Sequence, residues 1–165
     1  PHCYSTLKND YRAYGLEAEV FHSSEFLAHL LKNGKLSLER PSGLGRVVFH
    51  DSCYLGRYNQ MYEPPREVLT QALGQHPIEM DRAFEKSFCC GGGGGRMWME
   101  ESAEHRLNIN RVKEALTKKP DTLVVSCPYC MTMFEDGLKD QKAAQVRVMD
   151  IAEVVAASLR QKQGM

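Results

Sequence analysis

Five cysteines in three remote stretches constrain this chain more than anything else in it: Cys53, the adjacent pair Cys89-Cys90, and the run Cys127-Pro128-Tyr129-Cys130. Residues 54–88 lie between the first stretch and the second, and residues 92–126 between Gly91 and Cys127, thirty-five positions in each case. Thiols so placed act together only if the backbone returns three times to one point. Six cysteines, counting Cys3, also permit a disulfide framework. However, a chain of 165 residues fills a core without covalent staples, and Cys89-Cys90 and Cys127-x-x-Cys130 are too tight to cross-link separate elements. Clustered cysteines without a secretory signal read instead as metal ligands or redox groups.

The pattern between the cysteines alternates. Arg46–His50, Thr122–Ser126 and Val146–Met149 are short β-branched runs of strand type, and Glu19–His22 and Pro77–Met80 are weaker ones. Helices are expected over Tyr4–Tyr14, Glu25–Asn33 with Ser23 or Ser24 as cap, Pro64–Leu73, Arg96–Leu116, from Pro128, and over Ile151–Leu159. Leu36–Gly45, with Pro41, Gly43 and Gly45, reads as a linker. Strands alternating with helices predict an α/β fold with a Rossmann-like, mostly parallel sheet flanked by helices. Such sheets keep their chemistry beyond the carboxyl ends of the strands, where Cys53 and Cys127 follow two of the runs.

A repeat crosses this pattern. Pro1–Thr6 aligns with Pro128–Met133, and Val20–Leu27 with Val148–Val155 after a one-residue gap. The period is too long for a solenoid and suggests duplicated modules. Residues 1–36 then end a first module and 46–160 form a second, with Pro1 an internal position and Cys3 the last cysteine of a motif that starts upstream.

Iron–sulfur clusters take soft thiolates, four for a cubane, and five converging cysteines exceed that count. Gly91–Gly95 let the backbone approach an inorganic cluster and aim N–H groups at it, with Gly91 and Gly92 shaping the pocket. The run fails as a phosphate loop, because both glycine signatures need a glycine where Arg96 stands. Pro128 sets the C-x-x-C turn at a helix start, whose positive end favours thiolate. Zinc is the competing metal, since four-cysteine sites are common, and a metal-free redox dithiol is a further alternative. His50, three residues before Cys53, suits second-layer hydrogen bonding; His22 suits a helix cap. Asp51 and Arg57 read by default as surface salt-bridge residues, otherwise as groups that neutralise cluster charge or anchor the loop, and Met97, Trp98 and Met99 as core or partner-interface residues. Lys plus Arg equals Asp plus Glu, 21 against 21, so nothing draws the chain to nucleic acid. No stretch has the length and apolarity of a membrane span.

The C-x35-CCG-x35-CPYC spacing, the segment His50-Asp51-Ser52-Cys53-Tyr54-Leu55-Gly56-Arg57 and the Cys89-Cys90-Gly91 run resemble the cysteine-rich CCG domain family. This is the domain of the cysteine-rich subunit of heterodisulfide reductase and of iron–sulfur subunits of glycolate oxidase, anaerobic glycerol-3-phosphate dehydrogenase and lactate-utilisation complexes. The stretch Cys89–Glu101 looks most like the large membrane-associated reductases that partner electron-transfer flavoproteins. The resemblance implies an oxidoreductase domain with a 4Fe–4S cluster on Cys53, Cys89, Cys90, Cys127 and Cys130, noncubane in the heterodisulfide reductase branch. It also implies an upstream CCG module, a ferredoxin-like domain, a flavoprotein or quinone-linked partner, and a cytoplasmic location at the membrane face through the parent protein. Zinc occupies one of the two domains in some members.

Overall fold

Val47-Val48-Phe49 is an unbroken apolar run, buried at every position, as a strand covered on both faces must be. It forms β1 (Val47–Phe49), and β2 (Ile78–Glu79), β3 (Thr122–Val125) and β4 (Arg147–Asp150) join it in one parallel sheet of order β2-β1-β3-β4. The register pairs Val48 with Leu123 and Leu123 with Val148. The computed structural model describes residues 1–102 and 105–159. The expected α/β architecture is therefore present, with parallel strands joined by helical crossovers.

In chain order the helices are α1 (His2–Ser5), α2 (Ser23–Lys32), α3 (Gly56–Asn59), α4 (Glu63–Leu73), α5 (Leu107–Thr117), α6 (Pro128–Asp140) and α7 (Ile151–Ser158). Because successive strand residues point to opposite faces, the sheet feeds two cores. Val48, Leu123 and Val125 pack with Val112, Ala115, Phe134 and Leu138 of α5 and α6. Val47, Phe49 and Val124 pack with Val68, Leu69, Ala72, Ile151 and Val154 of α4 and α7, backed by Ala28 of α2. Each fully buried aliphatic here contributes on the order of 1.5–3 kcal/mol. Gly137 lets α5 and α6 touch, since a Cβ there would stand 2.7 Å from Val112 Cγ2.

Three local expectations are corrected. Glu19–His22 pairs with neither edge of the sheet; it is extended chain leading to α2. The cap of α2 is His22 rather than Ser23 or Ser24: its Nδ1 accepts from the Ser24 N–H at 3.2 Å, and Glu25 reaches back to the His22 N–H at 3.4 Å. The helix expected over Arg96–Leu116 is a 3₁₀ turn, Arg96–Trp98, followed by α5 from Leu107; Ala103 and Glu104 lie outside the described residues. A helix from Arg96 would carry the chain about 16 Å by Leu107, whereas Gly91 lies against Leu107, where an added Cβ would be 3.0 Å from the leucine Cβ. Tyr4–Tyr14 is helical but uneven: α1 passes into a π turn, Thr6–Asp10, then a 3₁₀ turn, Tyr11–Tyr14, and stops at Gly15 with φ 84°.

Candidate metal centre

The three cysteine stretches hang from the three adjacent strands β2, β1 and β3. After β1 the chain runs through His50, Asp51 and Ser52 to Cys53. After β2 it passes a 3₁₀ turn, Phe84–Lys86, to Cys89 and Cys90. After β3 it reaches Cys127, the N-cap of α6, with Pro128 opening the helix and Cys130 in its first turn. The thiols act on one another's proton affinity in one series, Cys53 with Cys89, Cys89 with Cys90, Cys90 with Cys130 and Cys130 with Cys127. All five are free thiols; Cys90, Cys127 and Cys130 are buried, while Cys53 and Cys89 are half-buried. Cys3 is exposed.

These contacts sort the thiols into two kinds. Hydrogen bonds from Cys53, then Cys90, lower the pKa of Cys89, helped by the Gly91 N–H at 3.3 Å from its sulfur. A hydrogen bond with Cys130 lowers Cys127, and the Tyr129 and Cys130 N–H groups add the positive end of α6. Cys53 is raised by its bond to Cys89 and then by burial; Cys130 is raised by Cys127, Cys90 and burial. For Cys90 the bond to Cys130 pulls down, but the bond to Cys89 and burial together push up. Cys89 and Cys127 are thus the sulfurs that carry negative charge first.

Around the thiols the protein supplies donors. His50 is 1% exposed, and Arg111 Nε donates to its Nδ1 at 3.2 Å. Arginine only donates, so the imidazole proton sits on Nε2, a buried atom that meets no protein acceptor. Burial, then the Arg111 charge, pushes His50 down to about 3, and the ring is neutral. A ring nitrogen of His50 lies within 4.8 Å of the sulfurs of Cys90 and Cys130. Ser126 Oγ is likewise buried without a partner, and Ser52 Oγ stands 3.8 Å from Cys130 Sγ. Arg111, 0% exposed, also reaches Ser87 Oγ at 3.3 Å and stands 2.9 Å from Glu114 Oε2, in an ion pair bent away from hydrogen-bond geometry.

The loop before Cys53 is pinned from beneath. Asp51, expected at the surface, is buried and takes two bonds from Arg66, both 2.8 Å, and one from the Phe84 N–H at 2.8 Å. Arg66 also donates to Glu79 at 2.7 and 2.8 Å, and Arg57 to the Ser87 carbonyl at 2.7 Å. Both Asp51 and Arg57 are loop anchors. Gly91 has φ 88°, and a Cβ on Gly92 would crowd Met133 Cγ at 3.0 Å and Tyr129 Cβ at 3.2 Å. At the mouth His2 lies on Tyr54, ring centroids 3.9 Å apart, and edge-on to Tyr129, with Nδ1 4.0 Å from Cys127 Sγ. Met97 packs on the core, whereas Trp98 is 81% exposed and Met99 is exposed.

Neither Arg66 nor Arg111 stands out in a scan for ligands. The one signal for Arg111 is its place in the buried stripe of α5 with Asn108, Val112 and Ala115, where a charge needs a buried partner. The donor set fits a sulfur-rich anionic group: five thiols, two of them charge-bearing, with orphaned donors beside them. It fits a single tetrahedral ion less well. Four thiolates about 2.3 Å from zinc stand closer together than a series does, and among the described residues the one trio mutually within 4.8 Å is His50, Cys90 and Cys130.

The model of the CCG cysteine-rich domain matches residues 47–135. A protein of Bacillus subtilis named probable iron-sulfur-binding oxidoreductase FadF is 48% identical over 160 residues, which cover 96% of this chain and 23% of that protein. The EtfAB:quinone oxidoreductase of Syntrophomonas wolfei is 45% identical over 94% of this chain and 22% of its own length. A subunit of the dihydromethanophenazine:CoB–CoM heterodisulfide reductase of Methanosarcina barkeri is 36% identical over 95% of this chain and 39% of its own length. The chain thus spans less than a quarter of the length of the first two. No solved structure matches it.

Proposed function

The chain belongs to the cysteine-rich CCG domain family, and from that premise we propose that it is the iron–sulfur-binding part of an electron-transferring oxidoreductase. The observation that carries the reading is that three neighbouring strands deliver all five thiols to the carboxyl edge of the sheet, where each acts on its neighbour's proton affinity. Cys53, Cys89, Cys90, Cys127 and Cys130 are the ligands, and the group they hold is a 4Fe–4S cluster; five thiols in place of four suit the noncubane form. Such a cluster takes up and releases single electrons when bound. The chain's own residues do the rest. The Gly91 N–H and the first turn of α6 stabilise thiolate at Cys89 and Cys127, Gly92 keeps α6 close, and the His2–Tyr54–Tyr129 rings narrow access from solvent.

The relatives' names support a flavoprotein or quinone-linked partner, and we assign the chain to that side of the family in preference to disulfide reduction. No described helix is long and apolar enough to cross a membrane. One relative is named a probable membrane-anchored ferredoxin, in keeping with a location at the cytoplasmic membrane face through further parts of the protein. We also assign residues 1–36 to the end of a first module and 46–160 to a second. The shared capping box supports the repeat: His22 with Glu25 opens α2 as Asp150 with Glu153 opens α7. In that arrangement the upstream module and a ferredoxin-like domain precede the chain.

The test is anaerobic purification with iron, sulfide and zinc analysis and electron paramagnetic resonance, wild type against Cys90→Ser. Iron with matching sulfide, and a changed spectrum in the variant, is the expected result. A colourless protein with stoichiometric zinc overturns the cluster and establishes the zinc reading. Neither metal leaves a dithiol protein.

A further inference from the structure

We infer that His50 is a hydrogen-bond donor to the sulfur of the group held by Cys90 and Cys130, with Arg111 as the positioning residue that fixes its proton. The inference rests on the cluster reading above. His50 sits at the end of β1, 1% exposed, edge-on to Phe134 with ring centroids 4.9 Å apart, so the ring cannot turn to water. Its Nδ1 lone pair is engaged by Arg111 Nε. Ligation through Nε2 needs the proton on Nδ1, which an arginine donating to Nδ1 forbids, and ligation through Nδ1 needs the lone pair that arginine takes. His50 is therefore no metal ligand, although its ring nitrogen lies within 4.8 Å of both sulfurs. What remains is an N–H on Nε2, buried and without a protein acceptor. Buried donors are rarely left so, and thiolate or sulfide is the acceptor that this pocket offers.

Arg111 holds the arrangement from the other side. It reaches His50, Ser87 and Glu114 at once, and Ser87 Oγ in turn donates to the Asp51 carbonyl at 3.3 Å. One buried guanidinium thereby ties the loop of Cys53 to the loop of Cys89 and Cys90. An N–H on a cluster sulfur favours the more negative, reduced state, so its loss lowers the midpoint potential.

The experiment is a redox titration of the full-length holoprotein, followed by electron paramagnetic resonance, for wild type, His50→Phe and His50→Gln. His50→Phe removes the donor and is expected to shift the one-electron equilibrium roughly tenfold toward the oxidised form, about 59 mV. His50→Gln keeps an N–H and is expected to recover at least half of that shift. Electron–nuclear double resonance on histidine-labelled wild type needs no variant to fold: a weak nitrogen coupling with a deuterium-exchangeable proton is expected. Nitrogen coupling of the strength of a bonded ligand, no exchangeable proton, or unmoved potentials in iron-loaded variants overturn the inference alone. Wild type without iron and sulfide overturns the cluster reading, and this inference with it.

Discussion

Replacing Asp51 with alanine removes the acceptor of three hydrogen bonds, two buried ones from Arg66 and a part-buried one from the Phe84 N–H, each 2.8 Å long. The Arg66 guanidinium stays behind, itself buried, lying 3.8 Å over the Phe84 ring. Stripping one partner from a buried pair costs about 3–5 kcal/mol, and the orphaned Phe84 N–H about 1–3 kcal/mol more. Glu79 still balances the arginine through bonds of 2.7 and 2.8 Å and offsets part of that. The net expectation is a loss of about 3–5 kcal/mol, which for a chain of this size lowers Tm by about 6–20 °C. Thermal unfolding followed by circular dichroism, with urea titration alongside, measures it. The double variant Asp51→Leu with Arg66→Met removes the buried charges together and is expected to regain most of the loss. If Asp51→Ala unfolds within about 1 kcal/mol of wild type, the pair does not pin the Cys53 loop and the reasoning fails.

Other expectations are narrower. Gly91→Ala forces a Cβ onto φ 88° and against Leu107, so it is expected to cost about 1–3 kcal/mol and lower iron loading; Gly93→Ala, with nothing within 4 Å, stays within about 0.5 kcal/mol by urea titration. Burial depresses His22 to about 4, so the folded state stays neutral while the unfolded chain takes a proton near pH 6.5. The unfolded state then binds more protons, and stability present above pH 6.5 is lost as pH falls toward 4, at up to about 1.36 kcal/mol per unit. His22→Asn, a cap that does not titrate there, is expected to flatten that part of the urea-midpoint profile. Leu123→Ala, fully buried at the sheet centre, is expected to cost about 2–5 kcal/mol by the same titration.

The central strands were legible because β-branched runs such as Val47-Val48 and Leu123-Val124-Val125 have few other conformations in which to bury so much surface. Helix starts at Pro64 and Pro128 were legible for the same local reason, a fixed φ at the first turn. Glu19–His22 misled because its extended backbone looks like a strand until a sheet edge is sought, and the edges lie elsewhere. Arg96–Leu116 misled because helical spacing continues through a stretch that holds only a 3₁₀ turn, Arg96–Trp98, before α5 begins at Leu107. At the site, the strand ends made legible that the loops of Cys53 and Cys127 leave the same edge of the sheet. The buried polar scaffold was not legible: Asp51 with Arg66, and His50 with Arg111, are partners 15 and 61 positions apart, and nothing local marks them.

Three neighbouring strands of one sheet, about 4.8 Å apart, each deliver one of the cysteine loops, and on the proposed function that wiring would govern how a cluster is taken up. The placement of the cysteine loops follows from backbone pairing between the strands, which needs no metal. On that reading, loading and stripping a cluster would need only side chains to swivel on a standing frame. A preparation emptied by a chelator should retain its far-ultraviolet circular dichroism and refill without passing through denaturant.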